Sequence, residues 1–333
     1  MPLNIKEWES FFIPLIDQEI KKLIPEDSYK NLYDSMHYAF STGGKRLRPT
    51  LCLLVCKTLG TDVKSAIPFA TSLEMMHNSS LVHDDIEDGD VIRRNFPTVW
   101  KKYGMAHGIN IGDGMIFKAY ESLLNSEHYL PSEKVVTLSK LLTDTLMRII
   151  EGQNMEFNFR SRGNVSIEEY MEMVWRKSGV LFATALSGGA IIADASDEIK
   201  QSLEEYGKKI GPAFQIRDDV LNIIGEGRKY GKEIGGDIKE GKRTIMIIHC
   251  LNACKSGERK KVLDILKKSR EQISASDVKS IIELMKKYNS IEFAQQKADE
   301  LVSQAKQALK KIKNRELAVA LTELADFISK RDY

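Results

Sequence analysis

Net charge, cysteine and proline are all in short supply in this chain. Lys and Arg total 49 against 47 Asp and Glu in 333 residues, a formal balance of +2. No global field draws the molecule to nucleic acid or to an anionic membrane surface, so charge-borne function has to be local. The four cysteines form two pairs at helical spacing, Cys52/Cys56 and Cys250/Cys254. Neither pair has zinc-finger spacing, and His249 beside Cys250 cannot share a helix face with both thiols. The expectation is reduced, buried cysteine in a cytoplasmic protein rather than a metal centre. The opening stretch MPLNIKEWESFF has no basic start followed by an apolar run, which argues against a secretory signal. Long hydrophobic runs are missing too. The longest uncharged stretch, Ser178 to Ala193, is short for a membrane span and contains Gly188-Gly189, so a buried core helix is expected there. At 42% hydrophobic and 29% charged, with 8 prolines, the composition is that of an ordinary folded chain.

Strand alternation is found nowhere, whereas apolar residues recur at three- and four-residue spacing. SEKVVTLSKLLTDTLMRIIEGQNMEF carries Val135, Leu138, Leu142, Leu146, Ile149 and Ile150 in that pattern. SIEEYMEMVWRKSGVLFATALSGGAIIA opens with Ser166 and Glu169 at capping-box spacing. DEIKQSLEEYGKKIGPAFQIRDDVLNII repeats the periodicity, with Gly211-Pro212 expected to kink or restart the helix. Further amphipathic helices are expected near 258–270, 276–288, 291–313 and 315–330. The fold class is all-α, in one domain over residues 1–333. Two stretches interrupt the helices: STGGKRLRPT, from Ser41 to Thr50, and the glycine-rich, charged segment from Gly225 to Thr244, expected to be a mobile flap.

On a helix, Asp84, Asp85 and Asp88 fall within about 100° of one another, on one side. Asp218, Asp219 and Asn222 repeat the spacing. One such triplet is more often a solvated face. Two with matching spacing, set on helices facing a bundle core, would repel strongly unless neutralised. Mg²⁺ resolves that conflict, because it takes oxygen ligands, keeps several waters and bridges carboxylates to phosphates. Counter-charge follows each break: Lys45, Arg46 and Arg48 after Gly43-Gly44, Arg93-Arg94 after the first acids, and Arg228, Lys229, Lys232, Lys242 and Arg243 after the second. Guanidinium and ammonium groups suit phosphate oxygens, so the pattern points to two diphosphates, one held through metal and one by side chains alone.

In their order, GGKRLRP, LVHDDIEDGDVIRR, RKSG, FQIRDDVLN and GGDIKEGKRT resemble the motifs of trans-isoprenyl diphosphate synthases, with Asp84-Asp85-Ile86-Glu87-Asp88 matching that family's DDxxD. HNSSLVHDDIEDGDVIRRNFPT is most similar to geranylgeranyl diphosphate synthases. The resemblance implies a bundle of about ten or more helices around a central active-site cavity. It implies Mg²⁺ as cofactor and head-to-tail condensation of isopentenyl diphosphate with dimethylallyl, geranyl or farnesyl diphosphate. Asp84, Asp88 and Asp218 would ligate Mg²⁺, and Asp85 and Asp219 would ligate it or orient its waters. Asn222 stands where the family pattern has Asp and still offers a carbonyl oxygen. Arg93, Lys177, Lys232 and Lys242 would hold the allylic diphosphate. Lys45, Arg48, His77 and Arg94 would hold isopentenyl diphosphate, His77 lying about two helical turns before Asp84. Gln215, with Ser178 where Thr is usual, would face the developing allylic cation. Relatives are usually homodimers; neither a nucleic-acid partner nor a transmembrane segment is expected.

Product length depends on what floors the apolar tunnel below Asp84. Ser79 and Ser80 are small where shorter-product relatives often place an aromatic. Obstruction further down would come from Met76, or from Ile116, Phe117, Met147 and Ile150, each of which has simple core packing as its bland alternative. This favours a C20 over a C15 product. Farnesyl and longer-chain synthases stay open, as do a terpene cyclase with Asp218, Asn222 and Glu226 as ligands, and a non-catalytic partner subunit. Lys45, Arg48 and Arg94 exceed what a cyclase's single diphosphate needs.

Overall fold

The computed structural model describes residues 5–26, 32–225 and 233–330, and helices account for most of them. The contacts group into two compact units, each assembled from three stretches of chain. One comprises the described residues up to Leu146, Leu181–Gly207 and Lys306–Leu324. The other comprises Met147–Val180, Lys208–Ala305 and the described residues from Ala325 onward. The all-α expectation holds.

The first unit holds α1 (Ile5–Leu23), α2 (Tyr33–Ser41), α3 (Leu47–Thr58), α4 (Ile67–Glu87), the short α5 (Val99–Tyr103) and α6 (Met105–Leu124). The start of α7 (Ser132–Arg160), most of α9 (Val180–Ile192) and the start of α10 (Asp197–Ile224) complete its helices before the C-terminal segment. Helix α4 is its axis. Pro68 stands in its first turn, where a missing N–H leaves no bond unmade. From Phe69 to Met76 every residue is buried, so the helix is covered on all sides, by α6, α3 and α1 among others. Small residues let neighbours approach: Ser79 Oγ donates to the Gly112 carbonyl of α6 at 2.8 Å. A Cβ on Gly188 of α9 would lie 1.9 Å from the Phe69 ring, and one on Gly189 2.7 Å from the Cys52 carbonyl. The expected core helix is therefore there, and its two glycines serve close packing. Cys52 and Cys56 are free buried thiols.

Beyond α4 the chain forms the one sheet among the described residues, an antiparallel hairpin pairing Ile92–Arg93 with Phe96–Pro97. Its turn residues Arg94 and Asn95 both have positive φ, 52° and 66°, as a type I′ turn requires. Strands of two residues are too short to leave an alternation in the sequence.

The second unit contains the rest of α7 and α10, α8 (Ile167–Val174) and helices at Ile245–Ala253, Ser256–Leu266 and Ala275–Lys287, with most of Ser290–Ala308. The capping box at the start of α8 is formed: Ser166 Oγ accepts from Glu169 N–H at 3.1 Å and the Glu169 carboxylate accepts from Ser166 N–H at 2.9 Å. A π-helical turn, Trp175–Gly179, follows α8. It is pressed from two sides: a Cβ on Gly152 of α7 would lie 2.4 Å from the Lys177 nitrogen, and one on Gly211 of α10 2.4 Å from the Gly179 Cα. Helix α10 runs without interruption through Pro212, against the expected restart, and Gly211 is there for this close approach. Of the stretch expected to be a flap, residues 226–232 lie outside the described residues. The described remainder is packed, with Ile238 and Arg243 buried. No helix among the described residues is long and apolar enough to cross a membrane.

In a free helix Gly→Ala gains about 1 kcal/mol, but overpacking against a backbone atom costs about 1–3 kcal/mol or more. Gly152→Ala should therefore lower the urea midpoint of unfolding; a raised midpoint would show that α7 does not press on the π-helical turn.

Candidate active site

In the first unit, Asp84 and Asp85 occupy the last turn of α4, and Asp88 is its C-cap. That is the negative end of the helix, where carboxylates are disfavoured and no basic side chain of the last turn offsets them. Asp85 and Asp88 are also buried. The hairpin supplies the compensation: Arg93 Nε donates to Asp85 Oδ1 at 2.6 Å, and its Nη2 lies 3.6 Å from Asp84 Oδ2.

Beside them lies a cationic group around the Gly43-Gly44 loop. Arg46 caps α3 with a left-handed backbone, φ 48°. Its buried guanidinium donates to the Gly43 and Phe40 carbonyls and to Glu74 Oε1, and Nε to Asp17 Oδ1 at 3.0 Å. Glu74, itself buried, also accepts from Asn78. Arg94 Nη1 donates to the Gly43 carbonyl as well. A Cβ on Gly44 would lie 2.8 Å from Arg46 Nη1 and 3.0 Å from Arg94, and the backbone there, φ 131°, is one that glycine alone adopts readily. Arg48 lies over the Phe182 ring and its Nη1 is 3.1 Å from His77 Nε2. Since guanidinium only donates, Nε2 is the acceptor. Burial, then the guanidiniums of Arg48, Arg94, Arg93 and Arg46, hold His77 well below the usual histidine range, so the ring is neutral. Lys45 is exposed.

In the second unit, Lys177 on the π-helical turn has its Nζ 3.0 Å from Glu156 Oε2. The same buried carboxylate accepts from Arg160 Nη2 at 3.0 Å and lies 4.0 Å from Lys242 Nζ, which is 2.6 Å from Glu240. Asp219 on α10 is gripped at both oxygens: Tyr170 OH donates to Oδ2 at 2.6 Å and Gln215 Nε2 to Oδ1 at 2.9 Å. Gln215 Oε1 in turn accepts from Ser178 Oγ at 2.8 Å. Burial lifts the Asp219 carboxyl to about 6 against the pull of Tyr170, Gln215 and Lys242. Burial, then Asp219 beside it, hold the Tyr170 phenol well above its ordinary value, so it stays a donor. Asp218 is half-buried one residue away.

Several expectations change. Asn222 is buried and its amide is engaged by the following loop: Oδ1 accepts from Asp237 N–H at 3.2 Å and Nδ2 donates to the Glu233 carbonyl. Phe117 is 73% exposed in the chain, because α6 buries Ile111, Met115 and Ala119 on its opposite face; it is not an interior floor. Met147 and Ile150 are exposed too, whereas Met76 is buried. Ser79 is buried against α6, leaving Ser80, half-buried, as the small residue one turn before Asp84. Arg243 gives its guanidinium to the Arg160, Arg162 and Gly241 carbonyls, and burial pushes its pKa down to about 10. Lys232, Arg228, Lys229 and Glu226 lie outside the described residues. Sequence reading missed Glu156 and Tyr170: the first looks like one acid of an amphipathic helix, the second like a core aromatic.

Among the described residues no three His, Cys, Asp or Glu side chains converge into a ready-made metal cage. Mg²⁺ needs none, since it binds through one or two carboxylates together with substrate phosphates and water. Buried aspartates at a helix C-terminus, compensated by an arginine, are hard-oxygen donors that fit such an ion.

A helical fold carrying these acids and groups of cations is that of the trans-prenyltransferases. Within that class, residues 29–285 match the polyprenyl synthetase family, and the chain belongs to that family. The short chain isoprenyl diphosphate synthase of Methanocaldococcus jannaschii is 36% identical over 318 residues, 96% of this chain and 94% of the relative. The geranylgeranyl diphosphate synthase of Methanosarcina mazei is 34% identical over 318 residues, 96% of this chain and 95% of the relative. The crystal structure of geranylgeranyl pyrophosphate synthetase from Pyrococcus horikoshii aligns with a TM-score of 0.89 at 36% identity, covering 98% of this chain and 99% of that one.

The depressed His77 has a consequence for stability. Below the unfolded-state value of about 6.5 the unfolded chain takes up a proton that the folded chain refuses, so acidification disfavours folding by up to about 1.4 kcal/mol per pH unit. Between pH 7 and pH 5.5, His77→Asn should lose less stability than the wild type in urea titrations. Equal losses would place the ring away from the arginines.

Proposed function

We propose that this prenyltransferase condenses isopentenyl diphosphate with dimethylallyl, geranyl and farnesyl diphosphates and stops at geranylgeranyl diphosphate. The observation that carries the reading is the acid triplet at the C-terminal end of a buried helix with Arg93 held against it. In this reading Asp84, Asp88 and Asp218 would hold Mg²⁺, with Asp85 and Asp219 in support, and the ion would supply charge compensation for the departing diphosphate. Arg93, Lys177 and Lys242, joined by Lys232, hold the allylic diphosphate. Glu156 keeps Lys177 and Lys242 paired until phosphate oxygens take its place.

Lys45, Arg48, Arg94 and neutral His77 take isopentenyl diphosphate. The arginines donate to its oxygens, and a histidine that carries no charge can accept from Arg48 and hold its fork in place. The C1–O bond of the allylic substrate breaks and its electron pair leaves with diphosphate. The terminal alkene carbon of isopentenyl diphosphate then bonds to C1, and loss of a proton to a nearby base, in this reading the departed diphosphate, restores an alkene. Gln215 Oε1 and Ser178 Oγ face the cation, where a carbonyl oxygen offsets positive charge. Ser80, small and half-buried below Asp84, supports growth beyond C15. Exposed Met105, Ile109, Phe117 and Leu124 are separated by four, eight and seven residues and fall within about 120° of one another on α6. They support a homodimer formed through that face, in a cytoplasmic enzyme.

Incubation with labelled isopentenyl diphosphate, each of the three primers and Mg²⁺ should give a C20 product, abolished by EDTA. Hydrocarbon released from an allylic diphosphate alone would instead mark a cyclase. Ser80→Phe should shorten the product; unchanged length would remove Ser80 from the tunnel. Phe117→Glu should shift the wild-type dimer toward monomer in light scattering, and an unshifted dimer would place the interface elsewhere.

A further inference from the structure

We infer that Asp219 is a positioning residue, held by Tyr170, whose task is to fix which end of the Gln215 amide faces the reaction. An amide offers a donor at one end and an acceptor at the other, and rotating it by half a turn exchanges them. Near a developing cation the two orientations have opposite effects: the oxygen attracts the charge, the NH₂ group repels it. Gln215 therefore needs a device that makes one orientation unequal to the other. Asp219 provides it. It sits one turn along α10 from Gln215, and Gln215 Nε2 donates to its Oδ1 at 2.9 Å. A carboxylate there accepts and cannot donate, so the nitrogen is drawn to it and Oε1 must point the other way.

Asp219 is kept from turning by Tyr170 of α8, which donates to Oδ2 at 2.6 Å and is itself 1% exposed. At the far end Ser178 donates to Oε1 at 2.8 Å; a hydroxyl can accept as readily as donate, so Ser178 accommodates the orientation that Asp219 selects. Oxygen has a second lone pair left for the cation. The chain Tyr170–Asp219–Gln215–Ser178 crosses three elements, two of which, the π-helical turn and α10, meet at the packed glycines Gly179 and Gly211. The inference rests on the proposed reading that Gln215 Oε1 faces the allylic cation. It assigns Asp219 work other than ligating metal, and it gives Tyr170 a place in the reaction.

A double-mutant cycle tests it. Gln215→Leu alone should lower kcat with farnesyl diphosphate; no loss would overturn the reading on which the inference rests. Tyr170→Phe and Asp219→Asn should each lower kcat about tenfold or more in the wild-type background, with KM for isopentenyl diphosphate unchanged. In the Gln215→Leu background Tyr170→Phe should cost nothing further, and Asp219→Asn should cost less than it does in the wild type. Additive losses there, with Gln215→Leu itself impaired, would overturn the inference while leaving the reading intact. Titration of Mn²⁺ in the presence of inorganic diphosphate, followed by electron paramagnetic resonance, supplies a readout independent of turnover. Tyr170→Phe should leave Mn²⁺ affinity as in the wild type, and a tenfold weakening would make Asp219 a metal ligand that Tyr170 merely orients. Thermal melts of each variant separate these outcomes from loss of fold, and the inference is overturned if kcat falls only in proportion to the folded fraction.

Discussion

Like charges gathered at the end of a buried helix cannot stand alone, and most of the first unit's architecture follows from that constraint. Helix α4 carries its acids at the end where the backbone dipole is already negative. The first strand of the hairpin that follows carries Arg93 against Asp85, with Asp84 close by. The cations of the Gly43-Gly44 loop face the mirror-image difficulty, and are met by carbonyls, by Asp17 and by the buried Glu74. Acids and bases are thus each compensated locally, and the geometry that compensates them is also geometry that can exchange one partner for a ligand.

The second unit works by a different economy of space. A widened helical turn carries Lys177 and Ser178, and glycines on both flanking helices let backbone meet backbone there. With so little room, the polar side chains have few alternative partners. The buried carboxylates of Glu156 and Asp219 each gather several donors, and a buried carboxylate that satisfies several donors rigidifies its surroundings.

Helices were legible in the sequence wherever burial is one-sided, since periodicity records burial; the capping box of Ser166 and Glu169 needed only local spacing. The hairpin was not, because two residues cannot show a period. Pro212 misled because helix continuity there is decided by the packing of Gly211 on Gly179, which no local pattern reveals. At the site, motif order singled out Asp84, Asp85, Arg93, Ser178, Gln215 and Asp219 and paired Ser178 with Gln215, but not Arg93 with Asp85 or Gln215 with Asp219. Glu156 and Tyr170 could not, for their roles exist only in tertiary contacts. Phe117 is a different case: it falls two residues from both Met115 and Ala119, and because α6 buries those two, helical geometry turns it to the outer face.

Arg94 has a left-handed backbone that a long, branched-headed side chain adopts at a cost of about 1 kcal/mol. Selection for thermal tolerance alone would favour glycine or asparagine at that turn, whereas Arg46, equally left-handed, is held in place by its buried pairing with Glu74. Any programme that hardens this enzyme by relaxing the hairpin turn would therefore remove a cation first. Robustness and the diphosphate contact proposed for Arg94 meet at the same residue.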